Sequence, residues 1–95
     1  PEEALEISDL VGARYTWCGK APENPEEAIH CEVQVRAHGD TVSAVAAIVD
    51  GHMHVQLNEP LYGVPAGQTA VIYVGTRVLG QMTIDEARSK VSTSA

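Results

Sequence analysis

The stretch CEVQVRAHGDTVSAVAAIVDGHMHVQLN, residues 31–58, decides the fold. Apolar and polar side chains alternate through its first eight residues and again through residues 52–58. Alternation with a period of two is typical of an antiparallel strand that has one face in the core and one toward water. The DG dipeptide at residues 50–51 and the GD dipeptide at residues 39–40 favour tight hairpin turns. The stretch therefore predicts a three-stranded meander.

The rest of the chain continues the β pattern. Residues 69–74 and 77–84 predict two more strands, and Gly80 inside the second one indicates a β-bulge or a barrel corner. Residues 4–8 and 12–18 are weaker strand candidates. Short strands at close spacing, with hardly any helical periodicity, predict an all-β fold, specifically a small antiparallel β-barrel. Closing the sheet also removes the unpaired edges through which small β domains aggregate.

The alternation also predicts which side chains form the core. Those expected inside the barrel are Val33, Val35, Met53, Val55, Leu57, Ile72 and Val78. Residues 60–67 contain two prolines and two glycines, which predicts a crossover outside the sheet, since proline cannot donate to a ladder. Gln68 follows this segment, and its side-chain amide is expected to satisfy backbone groups where the crossover meets the barrel.

The length of 95 residues suits one domain. We predict a flank at residues 1–3, the barrel at residues 4–84, and a short helix or disordered tail at residues 85–95, where Thr83 and Glu86 form a capping box. The chain begins with proline and closes on a polar tail, so we expect a piece of a longer polypeptide. We see no membrane-spanning segment and no signal peptide, and we therefore expect a cytoplasmic protein.

The charge balance is acidic and uneven. Six Lys and Arg against thirteen Asp and Glu give a net charge of −7, but residues 28–84 hold only four acids against two arginines. A lone acidic domain is a poor binder of nucleic acid, because affinity for phosphates comes from clustered positive charge. If the domain contacts RNA, the expected contacts are made to phosphates by Arg36, His38, Arg14, Lys20 and Arg77.

No residue pattern predicts catalysis, a bound cofactor or a metal in this chain. Cys18 and Cys31 do not form a metal-ligand motif, and we expect two buried free thiols, with one disulfide as the alternative. His52 and His54 point the same way along a strand, and one of the two other histidines would have to join them in space to hold zinc. A solvated histidine-rich face is the favoured interpretation.

Longer motifs carry a family resemblance. NEPLYGVPAGQTAVIYVGTRVLG, residues 58–80, is similar to the pattern DEP, PGQxAVxY and LG of the C-terminal domain of bacterial tRNA-specific 2-thiouridylases. The upstream CEVQVRAHGD and YTWC segments match the same family in order and spacing, so the resemblance covers about residues 4–84. The chain departs from the pattern at PAGQ, which has an extra alanine, and at GQMTI, which lacks the glycine run usual after LG.

The resemblance implies a role within a larger enzyme. The family, whose older name is tRNA (5-methylaminomethyl-2-thiouridylate)-methyltransferase, uses ATP and a persulfide sulfur donor to thiolate the wobble uridine of tRNA. Its phosphate loop and catalytic cysteines belong to an N-terminal domain. Its C-terminal barrel resembles domain 2 of elongation factor Tu and the aminomethyltransferase barrel. The implied partners are tRNA, the catalytic and central domains of the parent enzyme, and a sulfur-relay protein, with no membrane.

Three functions remain open for the barrel. The resemblance implies that it helps to position tRNA and packs on the rest of the enzyme, and Arg36 matches an arginine of the family pattern. The alternatives are an intramolecular scaffold that never contacts RNA, or a translation-factor-like barrel of a different enzyme.

Overall fold

The computed structural model of the chain describes residues 6–35, 41–62, 64 and 67–89. These residues form a single antiparallel sheet. Its strands are β1 (Glu6–Gly12), β2 (Tyr15–Trp17), β3 (Ile29–Val35), β4 (Thr41–Val49), β5 (His52–Tyr62), β6 (Thr69–Val74), β7 (Arg77–Thr83) and β8 (Glu86–Ser89). The predicted meander is confirmed, because β3 pairs with β4 and β4 pairs with β5. The residues that the structure describes include no apolar helix of membrane-spanning length.

The described strands form a barrel-like sheet whose two end strands do not pair with each other. The hydrogen-bonded order is β2-β7-β6-β3-β4-β5-β1-β8, which leaves β2 and β8 at the two ends of the sheet. The chain itself joins these ends, because β1 leads into β2 and β7 leads into β8. The β1–β8 and β2–β7 ladders share one register: Leu10 lies opposite Ala87, and Tyr15, five residues later, lies opposite Met82, five residues earlier. The all-β, barrel-type fold that the sequence predicts is confirmed.

Two glycines allow the long β1–β2 and β7–β8 segments to lie close together. A Cβ atom at Gly80 would lie 2.5 Å from the carbonyl oxygen of Thr16, and one at Gly12 would collide with the carbonyl oxygen of Thr83. Backbone hydrogen bonds tie the segments together here: the Thr83 N–H donates to the carbonyl of Arg14 at 2.9 Å. This pair of segments, which we term the seam, thus depends on residues without side chains.

The core consists of aliphatic and methionine side chains. Six of the seven predicted core residues are buried: Val33, Val35, Met53, Val55, Leu57 and Ile72. The prediction for Val78 is wrong, because Val78 is only half-buried and Leu79 is buried instead. The reason is a bulge: Ile72 pairs with Gly80 and Tyr73 pairs with Val78, so Leu79 is an extra residue on β7.

The predicted crossover begins later than its prolines indicate. β6 pairs with β3 and β7, which confirms a crossover after β5, but Pro60 lies inside β5. The strand tolerates this proline at a large bulge, where Gln56 pairs with Asp9 and the next paired residue, Leu61, faces Ile7. Gln68 connects to the barrel through its backbone carbonyl, which accepts the Ile84 N–H at 2.9 Å. This contact is made by the backbone of Gln68, whereas the prediction assigned the contact to its side-chain amide.

The helix predicted from the capping box is wrong for residues 86–89, which form β8. These residues lack alternating hydrophobicity. They follow β7 directly in the chain, and they pair with the unpaired edge of β1. Ala87 packs against the core. An isolated helix this short is unstable in water, so pairing with an existing strand wins.

Candidate nucleic-acid interface

Two of the predicted RNA contacts, Lys20 and Arg77, lie on one surface groove at the end of the barrel where β2 ends and β7 begins. They are brought together by the β2–β7 pairing, in which Trp17 faces Gly80 and the Cys18 N–H donates to the Leu79 carbonyl at 2.8 Å. The segments that follow β2 and begin β7 therefore leave the sheet at the same end, where Lys20 and Arg77 line the groove. The remaining residues that line the groove are Ala21, Pro22, Glu23, Ile29, Val74 and Leu79.

The groove combines free positive charge with exposed apolar surface. Lys20 and Arg77 are both exposed, and neither makes an ion pair with any described residue. Val74 is 39% exposed, which is unusual for a large hydrophobic residue in this domain. Because the cations are not neutralised, this end of the barrel can attract an anionic ligand despite the net charge of −7.

Arg14, a third predicted contact, lies apart from this groove and is engaged at the seam. Its guanidinium is 3.5 Å from a carboxylate oxygen of Asp85, whose other oxygen accepts the backbone N–H of Ala13 at 2.8 Å. The hydrogen bond from Ala13, together with Arg14, lowers the pKa of Asp85 below its ordinary value. Asp85 therefore stays ionised at neutral pH and holds the connection between β1 and β2.

Arg36 and His38, the other two predicted contacts, lie outside the described residues. Arg36 follows Val35, the last residue of β3, whereas Ile29 at the start of that strand lines the Lys20–Arg77 groove. Seven residues of β strand span roughly 20 Å. The structure therefore brings Lys20 and Arg77 together and separates them from the far end of β3.

A second groove lies on the outer face of the barrel, beside the seam. It is lined by Val11, Val49, Asp50, His52, His54, Asp85, Glu86 and Arg88. Glu86 is paired with Arg88 at 2.9 Å, which lowers the pKa of the Glu86 carboxyl. His52 contacts the carbonyl oxygen of Asp50 through Nδ1 at 3.0 Å. Within the described ranges, no group of three or more His, Cys, Asp and Glu side chains is placed to hold a metal ion.

The two cysteines occupy different environments, and both are free thiols. Cys31 is buried in β3, and burial raises its pKa to about 11, so the thiol is protonated at neutral pH and is a poor nucleophile. Cys18 is exposed, so the prediction that both thiols are buried is wrong for this residue. It lies just after β2, where the backbone still pairs with β7 but the side chain faces solvent.

The groove at Lys20 and Arg77 could not be read from the sequence. Its lining residues come from the loop after β2, the start of β3, the end of β6 and the start of β7. Neither Ile29 nor Val74 carries a signal in its local sequence beyond ordinary strand hydrophobicity. The β6–β7 hairpin places Val74 opposite Arg77, the β3–β6 pairing brings the strand of Ile29 beside them, and the β2–β7 pairing adds the segment of Lys20.

Comparison with known proteins agrees with this fold. Residues 8–84 match the family model of the aminomethyltransferase beta-barrel domain. The chain is 55% identical over 91 residues to the tRNA-specific 2-thiouridylase MnmA of Leifsonia xyli, covering 96% of the chain and 25% of that protein. It is 51% identical to the same enzyme of Clavibacter sepedonicus, covering 97% of the chain and 24% of that protein.

More distant relatives have the same name. The tRNA-specific 2-thiouridylase MnmA of Tropheryma whipplei is 45% identical over 95 residues, covering 98% of the chain and 25% of that protein. The chain thus spans about a quarter of the length of the curated relatives that it matches. It belongs to the aminomethyltransferase β-barrel domain family, and its predicted resemblance to the C-terminal domain of the tRNA-specific 2-thiouridylases is confirmed.

Proposed function

We propose that this barrel is a non-catalytic part of a tRNA 2-thiouridylase, where it helps to position tRNA and packs on the rest of the enzyme. The observation that carries the proposal is the identity of 55% over 96% of the chain to an enzyme named for that activity. The parent enzyme would use ATP and a persulfide donor to thiolate the wobble uridine, with its catalytic and central domains and a sulfur-relay protein as partners. Such an enzyme would work in the cytoplasm.

The chemistry of the described residues supports a positioning role. The buried Cys31 thiol has a pKa of about 11, which suits a core residue and not a sulfur carrier. The free cations at Lys20 and Arg77 offer contacts to phosphates, which orient an RNA without reading its sequence.

A scaffold function without RNA contact is the second candidate, and one observation favours it. Arg14 and Arg88 are paired with Asp85 and Glu86, so half of the four cations among the described residues are already engaged. A domain that used its whole surface to bind RNA would leave more of its cations free.

We predict that Arg36→Ala in the full-length enzyme weakens tRNA binding modestly. Removing one phosphate contact should flatten the plot of log affinity against log salt concentration by about one unit. The effect should be smaller for a minimal anticodon stem-loop than for whole tRNA if the barrel reaches beyond the wobble base. Filter binding at several salt concentrations measures both quantities.

Arg88→Ala is the matched control for this measurement, because Arg88 is paired with Glu86 and its loss should leave the salt slope unchanged. Equal affinity and equal slope for the wild type and Arg36→Ala would favour the scaffold function. The same null result for Arg14, Lys20 and Arg77 would establish it.

A further inference from the structure

We propose that the groove between Lys20 and Arg77 binds the sugar–phosphate backbone of the tRNA. This inference rests on the proposed function and assigns two of the five candidate contacts, Lys20 and Arg77, to one site. The two cations are 57 positions apart in the sequence but line the same groove. The pairing of β2 with β7, which ends a few residues short of Lys20 and Arg77, brings their two segments together.

The charge state of this groove distinguishes it from the rest of the described surface. Arg14 and Arg88 are each within 4 Å of a carboxylate, whereas Lys20 and Arg77 have no such partner among the residues that the structure describes. A cation that already has a carboxylate partner must give up that interaction to bind a phosphate. Glu23 also lines the groove, but it forms an ion pair with neither cation. Lys20 and Arg77 therefore have no described ion pair to break when they bind a phosphodiester.

The apolar floor of the groove suits the rest of a nucleotide. Val74 is 39% exposed there, beside half-buried Ile29 and buried Leu79. A backbone phosphate held between two cations brings its ribose within van der Waals reach of such a floor. Backbone contacts of this kind combine charge on the phosphate with apolar contact to the sugar, and they are independent of base sequence.

The second groove provides an internal comparison. It also exposes a valine, Val49, at 46%, but its one arginine, Arg88, is already paired with Glu86, and Asp50 and Asp85 add two further carboxylates beside His52 and His54. A phosphodiester would be repelled there at neutral pH, because like charges brought together in a groove are destabilising. Both grooves have exposed apolar surface, so this feature does not distinguish them. Their charge does, and it favours the groove at Lys20 and Arg77 as the site for a phosphodiester.

Charge-removing variants of the full-length enzyme test the assignment. Lys20→Gln and Arg77→Gln should each flatten the salt dependence of tRNA affinity by about one unit, and the double variant by about two. Arg88→Gln removes the same charge from a paired arginine and should leave the slope unchanged. Each variant changes an exposed side chain, so melting temperatures should match the wild type and exclude unfolding as the cause.

A photo-crosslinking residue gives an independent readout of position. Benzoylphenylalanine in place of Val74 should crosslink to bound tRNA, and the same residue in place of Val49 should not. Suppose that Arg36→Ala flattens the salt dependence of tRNA affinity, but Lys20→Gln/Arg77→Gln does not and position 74 gives no crosslink. The assignment of tRNA to this groove would then be wrong, and the proposed function would stand. An unchanged salt dependence for the variants of Lys20, Arg77 and Arg36, with no crosslink, would contradict both the groove assignment and the proposed tRNA-positioning function.

Discussion

Val35→Asp is expected to unfold the domain at room temperature. Val35 is fully buried at the end of β3, opposite Ala70 of β6, and no described side chain is placed to pair with a carboxylate there. A lone buried charge costs several kcal/mol, and the total stability of a domain is only about 5–15 kcal/mol. Circular dichroism should show loss of the β signal, or a melting temperature lowered by tens of degrees.

Val49→Asp is the matched control, because it makes the same change at a valine that is 46% exposed at the end of β4. It should shift the melting temperature by only a few degrees, since exposed substitutions usually change stability by about 0.5 kcal/mol or less. Unchanged melting of Val35→Asp would mean that β3 presents its other face to the core, and the register of the sheet would be wrong.

Gly12→Ala is expected to destabilise the domain by about 2–3 kcal/mol, the cost of overpacking a close-packed region. Its new methyl group would collide with the carbonyl oxygen of Thr83 and lie 3.1 Å from the sulfur of Met82. Neither a backbone carbonyl nor a buried methionine can move away without disturbing the seam. Gly80→Ala should act in the same direction, because its methyl group would meet Thr16 and the ring of Trp17. Urea denaturation measures both losses.

Gly75→Ala separates crowding from backbone strain. Gly75 has a φ of +66°, but an added Cβ there meets no atom within 4 Å. Alanine at this turn should cost about 1–2 kcal/mol from the left-handed conformation alone. If Gly12→Ala and Gly80→Ala cost no more than Gly75→Ala, the two segments of the seam do not approach each other as closely as described.

The sequence predicts the strands whose two faces differ in chemistry. β3 and β5 alternate cleanly, so their core residues could be identified before the structure was known. In β7 the alternation predicts the wrong core residue. A bulge at Leu79 shifts the alternation by one position, so Leu79 is buried in place of Val78. At β8 the rule gives no signal at all, since a polar segment becomes a strand only because β1 offers an open edge. Bulges and edge pairing depend on the partner strand, which local patterns do not contain.

The candidate site shows the same limit. The sequence identifies Lys20 and Arg77 as cations. Whether they lie close together depends on which strand pairs with β2. Exposure is also invisible locally: Cys18 and Cys31 are both in strand-like segments, yet only Cys31 faces the core. The family resemblance supplies the enzyme context, while the structure supplies the grouping of free and paired charges.

The most direct test of the account compares tRNA binding by the full-length enzyme with and without the barrel over a range of salt concentrations. We predict that removing the barrel lowers affinity and flattens the log–log salt dependence by about two or three units, which corresponds to the phosphates contacted at the Lys20–Arg77 groove and by Arg36. If the enzyme without the barrel folds and binds tRNA with the same affinity and the same slope, the barrel makes no contact with RNA, and the central claim is contradicted.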